Sequence, residues 1–188
     1  MEDTRLDPKS PILSALYDRQ PEEAHRLAES APEFTVWEAA ALGRVDALDR
    51  LLVRDRTLAN AFGADGNVPL GLAAFFGQVD AMKHLLDRGA EVGIAARNAM
   101  NVQPLHAAVA ARNPEAVAML LARGADVNAR QQIGYTPLMG AASGGRDDLV
   151  DLLLQHGADP SLASEEGKTA ATVAAEHGHT AIAAKLGP

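Results

Sequence analysis

Six histidines are the side chains best suited by type to chemistry here: His25, His84, His106, His156, His177 and His179. The one dense cluster is Glu176-His177-Gly178-His179, with Glu165 and Glu166 as the nearest further donors. A bound metal would need a third and a fourth ligand converging on it; no metal site is expected. His156, just before Gly157, suits a helix C-terminus, where a partly protonated ring complements the dipole. His84, beside Lys83, reads as a solvated position on a helix. For nucleophilic catalysis there is no cysteine and no Gly-x-Ser-x-Gly elbow. Ser143-Gly144-Gly145 reads as the close of a helix, and no Gly-x-Gly-x-x-Gly or Walker sequence occurs. Carboxylates such as Asp147-Asp148 fall at helix starts, where the helix dipole accounts for them. The expectation is no catalysis and no cofactor.

The elements that would have to position such groups are set by composition. Hydrophobic residues make up 47% of the 188 and aromatics only 4%, so the core must be Ala, Leu and Val in close contact. That suits helix on helix better than a sheet sandwich. The net charge of −8, with a sequence pI near 5.2 and no long basic run, disfavours nucleic acid, which calls for a basic face. The polar start MEDTRLDPKS has no signal-peptide core, and no apolar run is long enough to span a bilayer. Without cysteines, the expectation is a cytoplasmic protein that does not bind membranes.

A repeat organises the chain. Pro-Leu recurs at Pro69-Leu70, Pro104-Leu105 and Pro137-Leu138, spaced 35 and 33, and Gly-Ala recurs at the same spacings at Gly89-Ala90, Gly124-Ala125 and Gly157-Ala158. Leucine pairs fall between them at Leu85-Leu86, Leu120-Leu121 and Leu152-Leu153. Proline at a first helical turn presets φ and forfeits no useful N–H. The paired alanines Ala73-Ala74, Ala107-Ala108 and Ala141-Ala142 then predict a short, closely stacked inner helix. Gly77 and Gly145 end it in the left-handed conformation, and an outer helix with its leucine pair follows. Weaker copies extend the array: Thr35, in the Pro position, is followed by Ala39-Ala40 and Gly43; Pro11-Ile12 lies upstream and Gly167-Lys168-Thr169-Ala170 downstream. Arg112 stands where a helix-ending glycine is expected, and Asn113 with Pro114 is expected to make that turn.

Helix, reversing helix and projecting hairpin loop in about 33 residues resembles the ankyrin repeat. The resemblance covers roughly residues 11–188, although the family's Thr-Pro-Leu-His is complete in none of the units: Val68-Pro-Leu-Gly71, Gln103-Pro-Leu-His106 and Thr136-Pro-Leu-Met139. It implies an all-α solenoid of stacked helix-turn-helix units with projecting hairpin loops. The expected division is a flexible tail over 1–10 and one domain over 11–188, with units at about 11–33, 34–65, 66–100, 101–133, 134–166 and 167–188 and degenerate ends. His106 then takes the family's structural histidine position, as does Trp37 in its own unit. His179 follows a glycine where the family often places histidine.

The resemblance also implies a function, the binding of another protein by a monomer through its concave side. The family's outward positions flank each Pro, and here they carry Phe75, Phe76, Met100, Val102, Ile133 and Tyr135, rimmed by Arg97 and Arg130, with Phe62 nearby. An exposed apolar patch marks an interaction site, and Phe, Tyr, Met and Arg are enriched at interface cores. The alternative is that these side chains fold over one another and close the groove. A second function of another class is a regulator that answers a small molecule or metal at Glu176–His179.

Overall fold

The computed structural model describes residues 10–187, and among them the chain forms helices with no strand. They come in antiparallel pairs: α1 (Pro11–Tyr17) with α2 (Pro21–Ser30), α3 (Val36–Ala41) with α4 (Val45–Arg54), α5 (Pro69–Phe75) with α6 (Val79–Asp87). The series continues with α7 (Pro104–Ala110) and α8 (Pro114–Ala122), α9 (Pro137–Ser143) and α10 (Asp147–Gln155), α11 (Ala170–Glu176) and α12 (Thr180–Leu186). The odd-numbered inner helices stack on one another in chain order. The tail expected over 1–10 lies outside the described residues except for Ser10, which is buried and caps α1 through Leu13 N.

The local chemistry explains where the helices start. Pro69, Pro104 and Pro137 each occupy the first turn of an inner helix. The hydroxyls of Thr35, Thr136 and Thr169 accept from the amides of Glu38, Met139 and Thr172, which satisfies an otherwise orphaned N–H in each case. Val68 and Gln103, at the caps of α5 and α7, make no such bond. Thr35 stands in register with the prolines, eight residues before Gly43 as Pro69 is before Gly77, but it acts as a cap, so α3 starts one residue later and is one residue shorter than α5. Glu38 completes a capping box there and accepts a bond from Ser10 Oγ at 2.6 Å, tying α1 to α3. At the end of α7 the left-handed turn is made by Arg112 itself, at φ 57°, while Asn113 caps α8. Its guanidinium reaches the Gly144 carbonyl at 3.3 Å in the next unit, a contact glycine could not make.

The inner helices bury paired alanines such as Ala73, Ala74 and Ala108 beside leucines such as Leu70, Leu105 and Leu138, and the outer helices bury Leu48, Leu85, Leu120 and Leu153. Small side chains let helices approach closely, so dispersion contacts are dense despite the shortage of rings.

Three devices join neighbouring units. Loop tips share one backbone hydrogen bond each: Arg97 N to Gly66 O at 2.8 Å, Gln132 N to Met100 O at 3.0 Å, and Glu165 N to Ile133 O at 2.9 Å. Asn60 clamps the next unit by donating to Gly89 O and accepting from Glu91 N, and Asn128 does the same with Gly157 O and Asp159 N. The third is an interlock in which the residue before an outer helix leans over the previous unit's inner turn. Gln78 covers Gly43, Arg146 donates to the Arg112 carbonyl at 2.8 Å, and His179 covers Gly145. The asparagine clamp is missing between the α5/α6 and α7/α8 units, where Gly93 holds that position.

Candidate functional site

The concave side carries a groove of about 430 Å³ over α5, α7 and α9, bounded by the loops that precede α7 and α9. It exists because the inner helices present small residues there: Gly71, Ala107, Ala110 and Gly140 form its floor. Its outer wall is the loop from Ala96 to Val102, closed by a hydrogen bond from Ala96 N to Val102 O at 2.9 Å. The matching loop before α9 closes sooner, from Gln131 N to Tyr135 O at 3.0 Å, so the first loop stands two residues longer, as its sequence indicates. Asn98 stiffens the long loop, accepting from Met100 N and donating to Asp65 O.

Four of the eight residues expected to bind a partner line this groove: Phe75, Met100, Val102 and Tyr135. Phe75 is 46% exposed and Met100 49%, while Val102 and Tyr135 are half-buried. The other four stand outside it. Phe76 is half-buried against the core, with its ring 5.1 Å from Phe75 in an edge-to-face arrangement. Ile133 is exposed at the tip of the loop before α9, in the left-handed region at φ 57°. Arg97 stacks over the Phe62 ring, 3.8 Å from its centroid, and Arg130 donates to the Ala163 carbonyl of the next loop at 2.9 Å. Both arginines thus already have partners within the chain, and Phe62 lies beneath Arg97.

Tyr17 was not among the expected residues, yet it forms one end of the groove. Its ring lies 6.3 Å from Phe75 and 5.5 Å from Phe76, and its hydroxyl donates to Asp65 Oδ2 at 2.8 Å and accepts from Asn67 Nδ2 at 3.2 Å. Burial and the adjoining Asp65 carboxylate push the phenol well above its usual range. A signal was present: Tyr17 stands six residues after Pro11, as Phe75 stands six after Pro69. The groove is thus self-packed at its aromatic end and open between Phe75, Met100 and Tyr135.

The histidines are mostly engaged. His106 is buried at the groove floor, its Nε2 donating to the Tyr135 carbonyl at 3.3 Å, and burial holds its pKa below the imidazole range. Trp37 is likewise buried, its Nε1 donating to the Ala61 carbonyl at 3.1 Å. His84 is not fully solvated: its Nε2 sits 3.2 Å from Asp49, which Arg88 also engages. In the Glu176–His179 cluster both histidines reach Ser143 while Glu176 turns to Lys168. His177 Nδ1 is 2.9 Å from Val173 O, with Nε2 3.4 Å from Ser143 Oγ, and His179 Nε2 is 3.2 Å from Ser143 O. Glu176 pairs with Lys168 at 2.9 Å. Among the described residues no group of three histidines, aspartates or glutamates is placed to hold a metal. Nor is any helix among them long and apolar enough to cross a membrane.

The family model described as ankyrin repeats, in three copies, matches residues 36–131 and 105–187. Among curated proteins, alpha-latrocrustotoxin-Lt1a of Latrodectus tredecimguttatus is similar, 38% identical over 65 residues. That stretch is 35% of this chain and 4% of the toxin, so the chain spans a small fraction of that relative's length. Ankyrin repeats are in general protein–protein interaction modules and generally not enzymes. With helix pairs, tip-to-tip loops and the repeat model covering most of its length, this chain belongs to the ankyrin-repeat family.

Proposed function

We propose that this chain is a non-catalytic docking module, cytoplasmic and monomeric, that holds a partner protein against the concave side of its middle units. Phe75, Met100, Val102 and Tyr135 supply the contact surface with Ile133 exposed beside it, Phe76 backs Phe75, and Arg97 and Arg130 bound it from their seats on Phe62 and the Ala163 carbonyl. The observation that supports this most is the run of exposed apolar side chains Phe75, Met100 and Ile133 along successive units of a chain otherwise rich in surface charge. The acidic balance argues against nucleic acid as the partner.

The test is affinity purification from the native cell with wild type and with a Phe75→Ser/Met100→Ser double variant, both shown to be helical by circular dichroism. A specific chain recovered by wild type and lost from the variant is the expected result. Recovery of the same chain by both would remove the groove assignment. The second reading, a small-molecule or metal response at Glu176–His179, has less support because those side chains already bond within the fold.

A further inference from the structure

The groove, open between Phe75, Met100 and Tyr135, has properties that a protein-docking surface does not require. Its volume of about 430 Å³ falls in the range of small-molecule sites, roughly 300–1,000 Å³. No aspartate, glutamate, lysine or arginine lines it, although such residues are 22% of the chain. Its one titratable imidazole, His106, is kept neutral by burial.

Its polar groups are also largely committed. Tyr17 Oη and Asn67 Nδ2 bond each other and Asp65, Asn98 is held from both sides, and Thr136 Oγ accepts from Met139 N. A partner protein docking across the groove can offer this section side chains, but a peptide main chain buried here would bring backbone N–H and C=O groups, each of which must find a partner or lose free energy. The groove has little to give them beyond the Gln131 amide at its mouth and the hydroxyls of Tyr135 and Ser143, whose own contacts are long at 3.5 and 3.4 Å. An uncharged apolar molecule makes no such demand. The surrounding chain, at −8, further disfavours an anion such as a fatty acid.

We infer that this open section binds a small, uncharged, largely apolar molecule with an aromatic ring, seated on the Gly71–Ala107–Ala110–Gly140 floor between the rings of Phe75 and Tyr135. Met100, exposed on the long loop and flexible about three bonds, folds over it as an adaptable cover. This goes beyond the docking function and does not depend on it. A bound molecule would reshape the surface offered by Phe75 and Met100 to a partner protein.

The test uses the full chain and no partner, so its failure and a failure of partner docking are separate results. Nile red, a neutral aromatic dye, is titrated against the protein beside anilinonaphthalenesulfonate, an anionic one. The expected outcome is saturable one-to-one binding of Nile red and about tenfold weaker binding of the anion, a difference of about 1.4 kcal/mol. Ala110→Phe, which fills the floor from an exposed helix position, is expected to weaken Nile red by at least about tenfold, and Val53→Ser, exposed on α4 away from the groove, to leave it unchanged. In unmodified protein with labelled methionine methyls, the Met100 resonance should move on titration and that of Met119 should not. Non-saturable binding, equal affinity for the anion, or an unmoved Met100 methyl would overturn the inference.

Discussion

The ring of Tyr17 lies 5.5 Å from that of Phe76, although one ends the first inner helix and the other caps the third. The contact passes over α3, whose Ala39, Ala40 and Ala41 are fully buried and leave nothing tall in between. A degenerate first unit thereby closes the aromatic end of the groove. The following expectations rest on this and related contacts.

Removing the Tyr17 hydroxyl tests the closure. Tyr17→Phe keeps the ring contacts and loses the bond to Asp65, so at pH 7 it should destabilise by no more than about 1 kcal/mol, given the exposed setting. The phenol is raised in the folded state, so its contribution is complete below the unfolded value of about 10 and is lost as pH rises through the folded one. Urea midpoints of wild type and variant should differ by a constant amount between about pH 7 and 9 and converge above about pH 10. A gap that widens with pH would refute the assignment.

Gly93→Asn should install the missing clamp. The position has an ordinary φ and open space around it, and Asn60 and Asn128 show what an asparagine does there. Its side chain would reach Gly124 O and Asp126 N, while the unfolded chain loses glycine's freedom. Together these predict a gain of about 1–2 kcal/mol. An unchanged or lowered urea midpoint would count against the clamp.

Arg112→Gly exchanges a strained turn for a relaxed one. A left-handed residue with a Cβ costs roughly 1–2 kcal/mol, against which stands the modest 3.3 Å bond to Gly144. A net gain of about 0.5–1 kcal/mol is expected by thermal or urea denaturation. A net loss would mean that the Gly144 contact matters more than the strain.

Ile133→Asn separates folding from binding. Isoleucine is β-branched and sits at φ 57°, where asparagine is far more at ease. Stability should rise by about 1 kcal/mol while any partner that contacts Ile133 is held less tightly. Isothermal titration with the partner and a denaturation curve on the same sample would read both; gain or loss in the two together would contradict the separation.

Much of this architecture is legible in the sequence because its causes are local. Pro69, Pro104 and Pro137 begin helices for reasons of φ and a missing N–H, and two extra residues before Pro104 do lengthen that loop. What resisted reading depends on stacking. Arg97 and Arg130 look like a free rim in a linear chain, but the Phe62 face and the Ala163 carbonyl meet them once the units are superposed. Tyr17 could be found only by treating the weak Pro11 unit as equal to the strong ones. Thr35 keeps the register of the prolines, eight residues before Gly43, but its hydroxyl obeys the rule for caps, which shortens α3 by one residue.

The interlock of Gln78 over Gly43, Arg146 on Arg112 and His179 over Gly145 has a consequence for how such a molecule can change over time. Every one of these fastenings refers only to the unit next door, and three different chemistries (amide, guanidinium, imidazole) serve the same seat. A gene that duplicates or deletes one whole unit would therefore hand the newcomer a seat it already fits. Apart from the Tyr17 contact that ties the first unit to the third, the array can grow or shrink by inheritance without renegotiating the rest of its length.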